Sequence, residues 1–306
     1  MTTPTEHSSA RPGTSSTSPR RAPELTFEAV TKRYRGTAAP AVDGFTATLA
    51  AGHVTVLLGS SGCGKTTLLR MVNHMVAPTS GRVLLDGADV AERNAVTLRR
   101  SIGYVMQNAG LLPHRSVIDN ITLVPRLDGV PRATARQRAA ELMDMLGLAS
   151  TLADRYPHEL SGGQAQRVGV ARALASDPGV LLMDEPFGAV DPLVRRELQR
   201  ELWRIQAGLA KTIVFVTHDV DEALALGDDI ILLREGAQVS QRGTGTDLLQ
   251  APADDFVVRF LGLDDDARAH RLRQVADATD ARCGRTGPAA AGGTGAAQDP
   301  GTGARS

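Results

Sequence analysis

The sequence predicts an α/β domain built on a parallel sheet. Three observations carry that reading. A compact apolar run, residues 53–58, leads directly into a glycine-rich loop and a helix-like stretch, 65–75. After residue 180, short apolar runs alternate with helix-length amphipathic segments. Between these regions, about 117–174, the pattern turns helical and reads as an inserted lobe.

The elements follow in order. Residues 25–31 and 45–49 are β-like, and 83–85 end in Asp86-Gly87, a turn signal. Pro131 suits a first helical turn, 133–146 suits helix, and Gly147 is placed to cap its C-terminus. Residues 180–183 read as a strand. Residues 192–209 read as a helix with Val194, Leu198, Leu202, Ile205 and Leu209 on one face. Strand 213–216, helix 221–226 and strand 230–233 complete the alternation.

Composition narrows the function. Of 306 residues, 42% are apolar and 22% charged, an ordinary globular balance with length for one large or two ordinary domains. Lys plus Arg number 34 and so do Asp plus Glu, so no basic field argues for nucleic acid or an anionic membrane as a direct partner. Asp264-Asp265-Asp266 reads as a solvated, helix-starting edge. Two cysteines, Cys63 and Cys283, give neither a disulfide framework nor metal-ligand spacing, which fits a reducing cytoplasm. Residues 1–23 are expected to be a disordered leader without the apolar core of a secretion signal. Residues 24–262 form the continuous domain, and 263–306 hold a short helix within 264–281 followed by a Gly/Ala-rich disordered tail. No window approaches the ~20 apolar residues of a membrane-spanning helix, so any membrane role is expected to be peripheral, through a partner.

The chemistry lies in three motifs. Gly59-Ser60-Ser61-Gly62-Cys63-Gly64-Lys65-Thr66 matches the phosphate-loop pattern, with a strand before it and a helix after it. Its glycines let backbone N–H groups turn inward around phosphate oxygens at the positive helix end. Lys65 would reach the β- and γ-phosphates, and the Thr66 hydroxyl would serve Mg²⁺. Cys63 reads as a small filler here. Residues 181–186, Leu-Leu-Met-Asp-Glu-Pro, end an apolar strand in two carboxylates at a sheet's carboxyl edge. Asp184 suits Mg²⁺ coordination, and Glu185, one residue on, suits polarising an attacking water.

The third motif is Leu160-Ser161-Gly162-Gly163-Gln164. Ser161 and Gln164 have the spacing of a helix capping box. Capping does not explain Gly162 and Gly163, each costing roughly 1 kcal/mol of helix stability relative to Ala. Glycines make sense there if another group must approach the helix end closely. His218 after strand 213–217, Asp191 before Pro192, Gln107 after an apolar run, and Tyr34 in a chain 3% aromatic each carry a bland structural reading of their own.

Together these motifs resemble the ATP-binding-cassette (ABC) family of ATPases over about residues 25–262. The resemblance implies a P-loop NTPase fold with a RecA-like parallel core, an N-terminal antiparallel β-subdomain and an inserted helical subdomain. It implies ATP and Mg²⁺ as ligands, with Thr67 joining the loop residues around the nucleotide. It casts Tyr34 as the adenine-stacking aromatic and Gln107 as the Q-loop residue near Mg²⁺. His218 becomes the switch histidine, and Asp191 the D-loop aspartate, with Val190 where many members carry Leu. In the family two subunits stack head to tail, each ATP lying between one phosphate loop and the other subunit's signature, here Ser161 and Gly163. Segments 102–107, 111–114, 121–125, 183–188 and 217–223 are similar to importers of glycine betaine, carnitine or choline. That similarity implies two transmembrane permease subunits docking along 107–125, an extracellular solute-binding protein acting indirectly, and a place at the cytoplasmic face of the membrane. An importer of another amine or amino acid, or a regulatory ATPase that moves no solute, shares these motifs. Many osmoprotectant members carry C-terminal cystathionine-β-synthase-type modules, for which residues 263–306 are too few.

Overall fold

The computed structural model describes residues 22–188 and 190–282; nearly all of the expected leader, the tail and Cys283 lie outside these residues. The chain opens with β1 (Leu25–Lys32), β2 (Val42–Leu49), β3 (Val54–Gly59), α1 (Lys65–Val72), β4 (Ser80–Leu85), β5 (Ala88–Asp89), α2 (Ala95–Ser101) and β6 (Ile102–Val105). A helical lobe follows, made of α3 (Val117–Ile121), α4 (Leu123–Leu127), α5 (Arg132–Met145) and α6 (Gly162–Leu174). The chain then returns through β7 (Val180–Asp184), α7 (Pro192–Leu209), β8 (Thr212–Thr217), α8 (Val220–Leu226), β9 (Asp229–Arg234) and β10 (Gln238–Gly243). It ends in α9 (Gly245–Gln250), α10 (Asp255–Leu261) and α11 (Asp266–Arg282).

Two sheets result. The first is antiparallel, in the order β2-β1-β4-β5, with Leu25 opposite both Leu49 and Leu85. Its inward residues Leu25, Phe27 and Val30 are buried, and Phe27 meets Phe45 edge to face at 5.3 Å. The second has the order β10-β9-β3-β8-β7-β6, parallel except for the β9–β10 pair. Its central strands are buried on both faces, so they read as unbroken apolar runs rather than alternating ones. Val56, Leu58, Ile213, Phe215, Leu181 and Met183 pack with the lobe and α8. Their neighbours Leu57, Val214, Val216 and Leu182 pack with α1 and the antiparallel sheet.

The fold is the α/β arrangement read from the sequence, with local differences. Helix α1 ends at Val72 rather than 75, because His74 turns left-handed (φ 53°) and Met75 and Val76 both donate to the Arg70 carbonyl. Strand β2 starts at Val42, earlier than its apolar stretch suggests, since Val42 pairs with Lys32. Strand β10 is polar and gained only by pairing to apolar β9. Helix α11 starts beside Asp265, whose carboxylate accepts from Ala267 and Arg268 N–H.

Gly103 on β6 is where the lobe meets the sheet. A Cβ there would stand 2.6 Å from the Ala173 carbonyl oxygen and 2.6 Å from Leu181 Cδ1. Gly103→Ala is therefore expected to lower unfolding free energy by about 1–3 kcal/mol through overpacking, read as a lower urea midpoint at unchanged slope.

Candidate nucleotide-binding site

The carboxyl ends of β3, β7 and β8 carry the site. The chain leaves β3 at Gly59, turns through Gly62 and Gly64 with φ 84° and 111°, and enters α1 at Lys65. Both ends of the loop need glycine. A Cβ on Gly59 would lie 2.5 Å from the Leu233 carbonyl oxygen, and one on Gly64 would lie 2.4 Å from that of Ala41. Cys63 is buried inside the turn. Lys65 is 4% exposed, and its Nζ donates to the Gly59 and Ser60 carbonyls, each at 2.7 Å. The amine is thus held over the loop, satisfied by groups of the loop itself. A cleft of about 180 Å3 lies above, lined by Ala41, Ser61, Gly62, Lys65, Thr66, Thr67 and Glu185 among others.

Across the cleft mouth the Thr66 hydroxyl donates to Asp184 Oδ1 at 2.8 Å. Tyr104 donates its hydroxyl to Asp184 Oδ2 at 3.2 Å, and Arg70 stands 3.9 Å from the same oxygen. Burial, then the Asp184 carboxylate, raises the Tyr104 pKa above its ordinary value, so Tyr104 remains a donor. Among the described residues no group of three or more His, Cys, Asp or Glu side chains gathers for a metal. Thr66 and Asp184 offer two hard oxygens, the sparse donor set with which Mg²⁺ is held when substrate phosphates and water complete its shell.

Glu185 follows Asp184 with φ 45°, left-handed backbone unusual for a residue with a Cβ. Its N–H still donates to Val216, and its Oε2 lies 3.3 Å from His218 Nδ1. Gln107 is exposed, with its Nε2 3.3 Å from where a Cβ on Gly188 would stand, which places it beside the 185–188 turn. Tyr34 is 41% exposed and its hydroxyl is 3.5 Å from Thr67 Oγ1, so its ring stands at the cleft's rim. The structure thus gathers Tyr34, the loop, Asp184, Glu185, Gln107 and His218.

Ser161, Gly162, Gly163 and Gln164 stand apart, for none of them lines the cleft. They start α6 with a capping box, Gln164 N–H donating to Ser161 Oγ at 3.3 Å and Ser161 N–H to Gln164 Oε1 at 3.0 Å. Ser161 and Gly162 are exposed. Asp191 is also exposed, directly before α7, where its carbonyl accepts from Arg195 N–H.

Two supporting groups were not visible in the motifs. The Arg172 guanidinium donates to the Gly110 and Ala109 carbonyls at 2.7 and 2.8 Å, and Gln166 donates to that of Met106. Both sit on α6, so the helix that Ser161 caps also holds the 106–110 loop carrying Gln107. The signal in the sequence is slight: Arg172 is a lone cation between Ala171 and Ala173 on an otherwise apolar stretch. The second group surrounds His218. Thr217 donates to Glu222, Asp219 caps α8 by accepting from Glu222 N–H, and Arg195 pairs with Asp219 at 3.1 Å.

A strand–loop–helix phosphate cradle facing a strand that ends in two carboxylates, with a helical lobe inserted between, defines a nucleotide-binding domain of the P-loop class. A family model described as ABC transporter matches residues 42–188. The chain is 48% identical over 238 residues to the choline transport ATP-binding protein OpuBA of Bacillus subtilis, covering 78% of this chain and 62% of that protein. It is 48% identical over 260 residues to the osmoprotectant import ATP-binding protein OsmV of Salmonella typhimurium, covering 84% and 68%. A solved dimeric cassette, MJ0796 bound to ADP and Pi, superposes with TM-score 0.65 at 31% identity, covering 72% of this chain and 97% of that one. The chain belongs to the ABC transporter family of ATP-binding proteins. It spans about three fifths of the length of the Bacillus relative. No helix among the described residues is long and apolar enough to cross a membrane.

Two outcomes follow from the supporting groups. Arg172→Ala should cost about 2 kcal/mol of unfolding free energy by stranding two carbonyls, while Arg172→Lys recovers only part of it, because an ammonium lacks the guanidinium fork. Burial pushes the Glu222 carboxyl above the ordinary glutamate range, against the Thr217 hydroxyl that donates to it. A raised carboxyl means that the folded chain holds the proton more tightly. Its contribution is full below the ordinary glutamate range and is lost as pH rises through the raised value. Urea midpoints measured across that window should fall less in Glu222→Gln than in the parent.

Proposed function

We propose that this chain is the ATP-hydrolysing subunit of an importer for quaternary-amine osmoprotectants such as glycine betaine, carnitine or choline. The observation that carries the reading is the cluster at one strand edge: Thr66 on Asp184 at 2.8 Å, and Glu185 beside His218 at 3.3 Å. Gly59–Thr66 cradle the phosphates, and Lys65 exchanges its two carbonyl partners for the β- and γ-phosphates. Tyr34 stacks on the adenine, and Thr67 closes the phosphate side. Thr66, Asp184 and Gln107 would hold Mg²⁺, which neutralises charge on the terminal phosphates. Glu185 accepts a proton from the attacking water, while His218 orients Glu185 and meets the γ-phosphate.

The separation of residues 161–164 from the cleft supports a paired arrangement. A second copy of the chain, or a like subunit, places its Ser161, Gly163 and Asp191 against the nucleotide. Gly162 keeps that helix end open, and Gln164 fixes it through the capping box. Two transmembrane permease subunits dock along 107–125 and hold the pair at the cytoplasmic face of the membrane, with an extracellular binding protein delivering solute. Nucleic acid has no part. The names of OpuBA and OsmV support the choice of solute class.

Glu185→Gln is expected to lower steady-state ATP hydrolysis by about 100-fold or more while nucleotide still binds. Near-normal turnover would remove Glu185 from the role of base. In complexes reconstituted with the permeases, a quaternary amine presented by the binding protein should stimulate hydrolysis. Silence toward every such amine would exclude the cargo.

A further inference from the structure

Helices α7, α8 and α11 enclose a cleft of about 790 Å3 that shares no residue with the nucleotide cleft. Four arginines line it, Arg196 from α7 and Arg268, Arg271 and Arg282 from α11, facing one carboxylate, Asp221 of α8. On α11 the lining positions 268, 271, 275, 278 and 282 step by three and four, so they form one face of the helix. Arg196 and Arg271 are exposed, and neither has an ion-pair partner among the described residues. Arg268 is anchored through Nε to the Leu261 carbonyl. Arg282 donates to the Ala278 carbonyl and the Thr279 hydroxyl, and its guanidinium lies 5.0 Å over the ring of Trp203. Leu272 and Val275 supply an aliphatic floor.

Four arginines against one carboxylate leave the cleft with an excess of positive charge, and the two exposed ones, Arg196 and Arg271, are available to an anion. The guanidinium fork matches phosphate bidentately. The volume falls within the range of about 300–1,000 Å3 typical of small-molecule sites. We propose that this cleft is a binding site for a small molecule carrying two or more phosphate groups. It stands on the outer side of α8, the helix that follows His218.

Trp203 is the chain's only tryptophan, so it reports directly on the cleft. The full chain, with its phosphate loop saturated by MgADP, would be titrated with inorganic tripolyphosphate. The expected result is a saturable change in Trp203 emission and calorimetric binding of one equivalent per chain. Arg196→Gln with Arg271→Gln should weaken binding by about tenfold or more while leaving ATP turnover without added anion unchanged. Both positions are exposed, so the double variant folds as the parent does. The proposal is overturned by no saturable signal at millimolar tripolyphosphate, or by an equal response to sodium sulfate at matched ionic strength. Undiminished binding in the double variant would also overturn it, by returning the signal to the phosphate loop. Binding to phosphatidylglycerol vesicles with no response to soluble tripolyphosphate would assign the arginines to a membrane surface instead.

Discussion

Leu58 on β3 stands opposite Thr217 on β8, and Val216 on β8 stands opposite Asp184 on β7. The whole site depends on that register. It brings the chain out of three strands at neighbouring points of one sheet edge, so the loop after Gly59, the carboxylates of Asp184 and Glu185, and His218 meet without any long-range adjustment. A slip of one residue on β7 would send its apolar side chains to the wrong face and draw Asp184 away from Thr66. Burial on both faces is what forbids the slip, because Leu181 and Met183 belong to one core and Leu182 to the other.

Parallel strands also require long crossovers, and the fold uses one of them to carry the helical lobe between β6 and β7. The lobe is not loosely attached. Gly103 allows α6 to lie against the sheet, and Arg172 and Gln166 satisfy carbonyls of the 106–110 loop at the point where the chain enters the lobe. A movement of α6 therefore carries that loop with it. The helix end at Ser161 and the loop carrying Gln107 are connected through α6, by these hydrogen bonds and by the close packing of Gly169 on buried Ala109.

Much of this was legible in the sequence, for reasons that differ by residue. The phosphate loop and the Asp184-Glu185 pair are local: an apolar strand, its carboxyl end and the polar residues just beyond it lie within a dozen positions. The capping box at Ser161 and Gln164 is local as well. Tyr104 was not legible as a partner of Asp184, because their meeting depends on the β6–β7 register, which places Tyr104 opposite Leu182 across some 78 residues of chain. Arg172 was hidden for a similar reason, since its acceptors are backbone carbonyls that no residue type announces. Polar β10 gave no β signal, because its strand character comes from pairing with apolar β9.

Glu185 bears one more consequence. Its backbone occupies a conformation that glycine would adopt freely and that costs a residue with a Cβ about 1 kcal/mol or more. The fold would be more comfortable with no side chain at that turn. The Val216 carbonyl accepts its N–H, and two residues on, the chain is anchored by the buried Phe187, whose ring lies tilted against Phe215 at 5.6 Å. With Glu185 as the proposed base, chemistry and folding pull in opposite directions at a single peptide unit. On the proposed role of Glu185, changes that relax this turn would yield a sturdier protein with an idle site, and thermal robustness would be a poor proxy for competence in this chain.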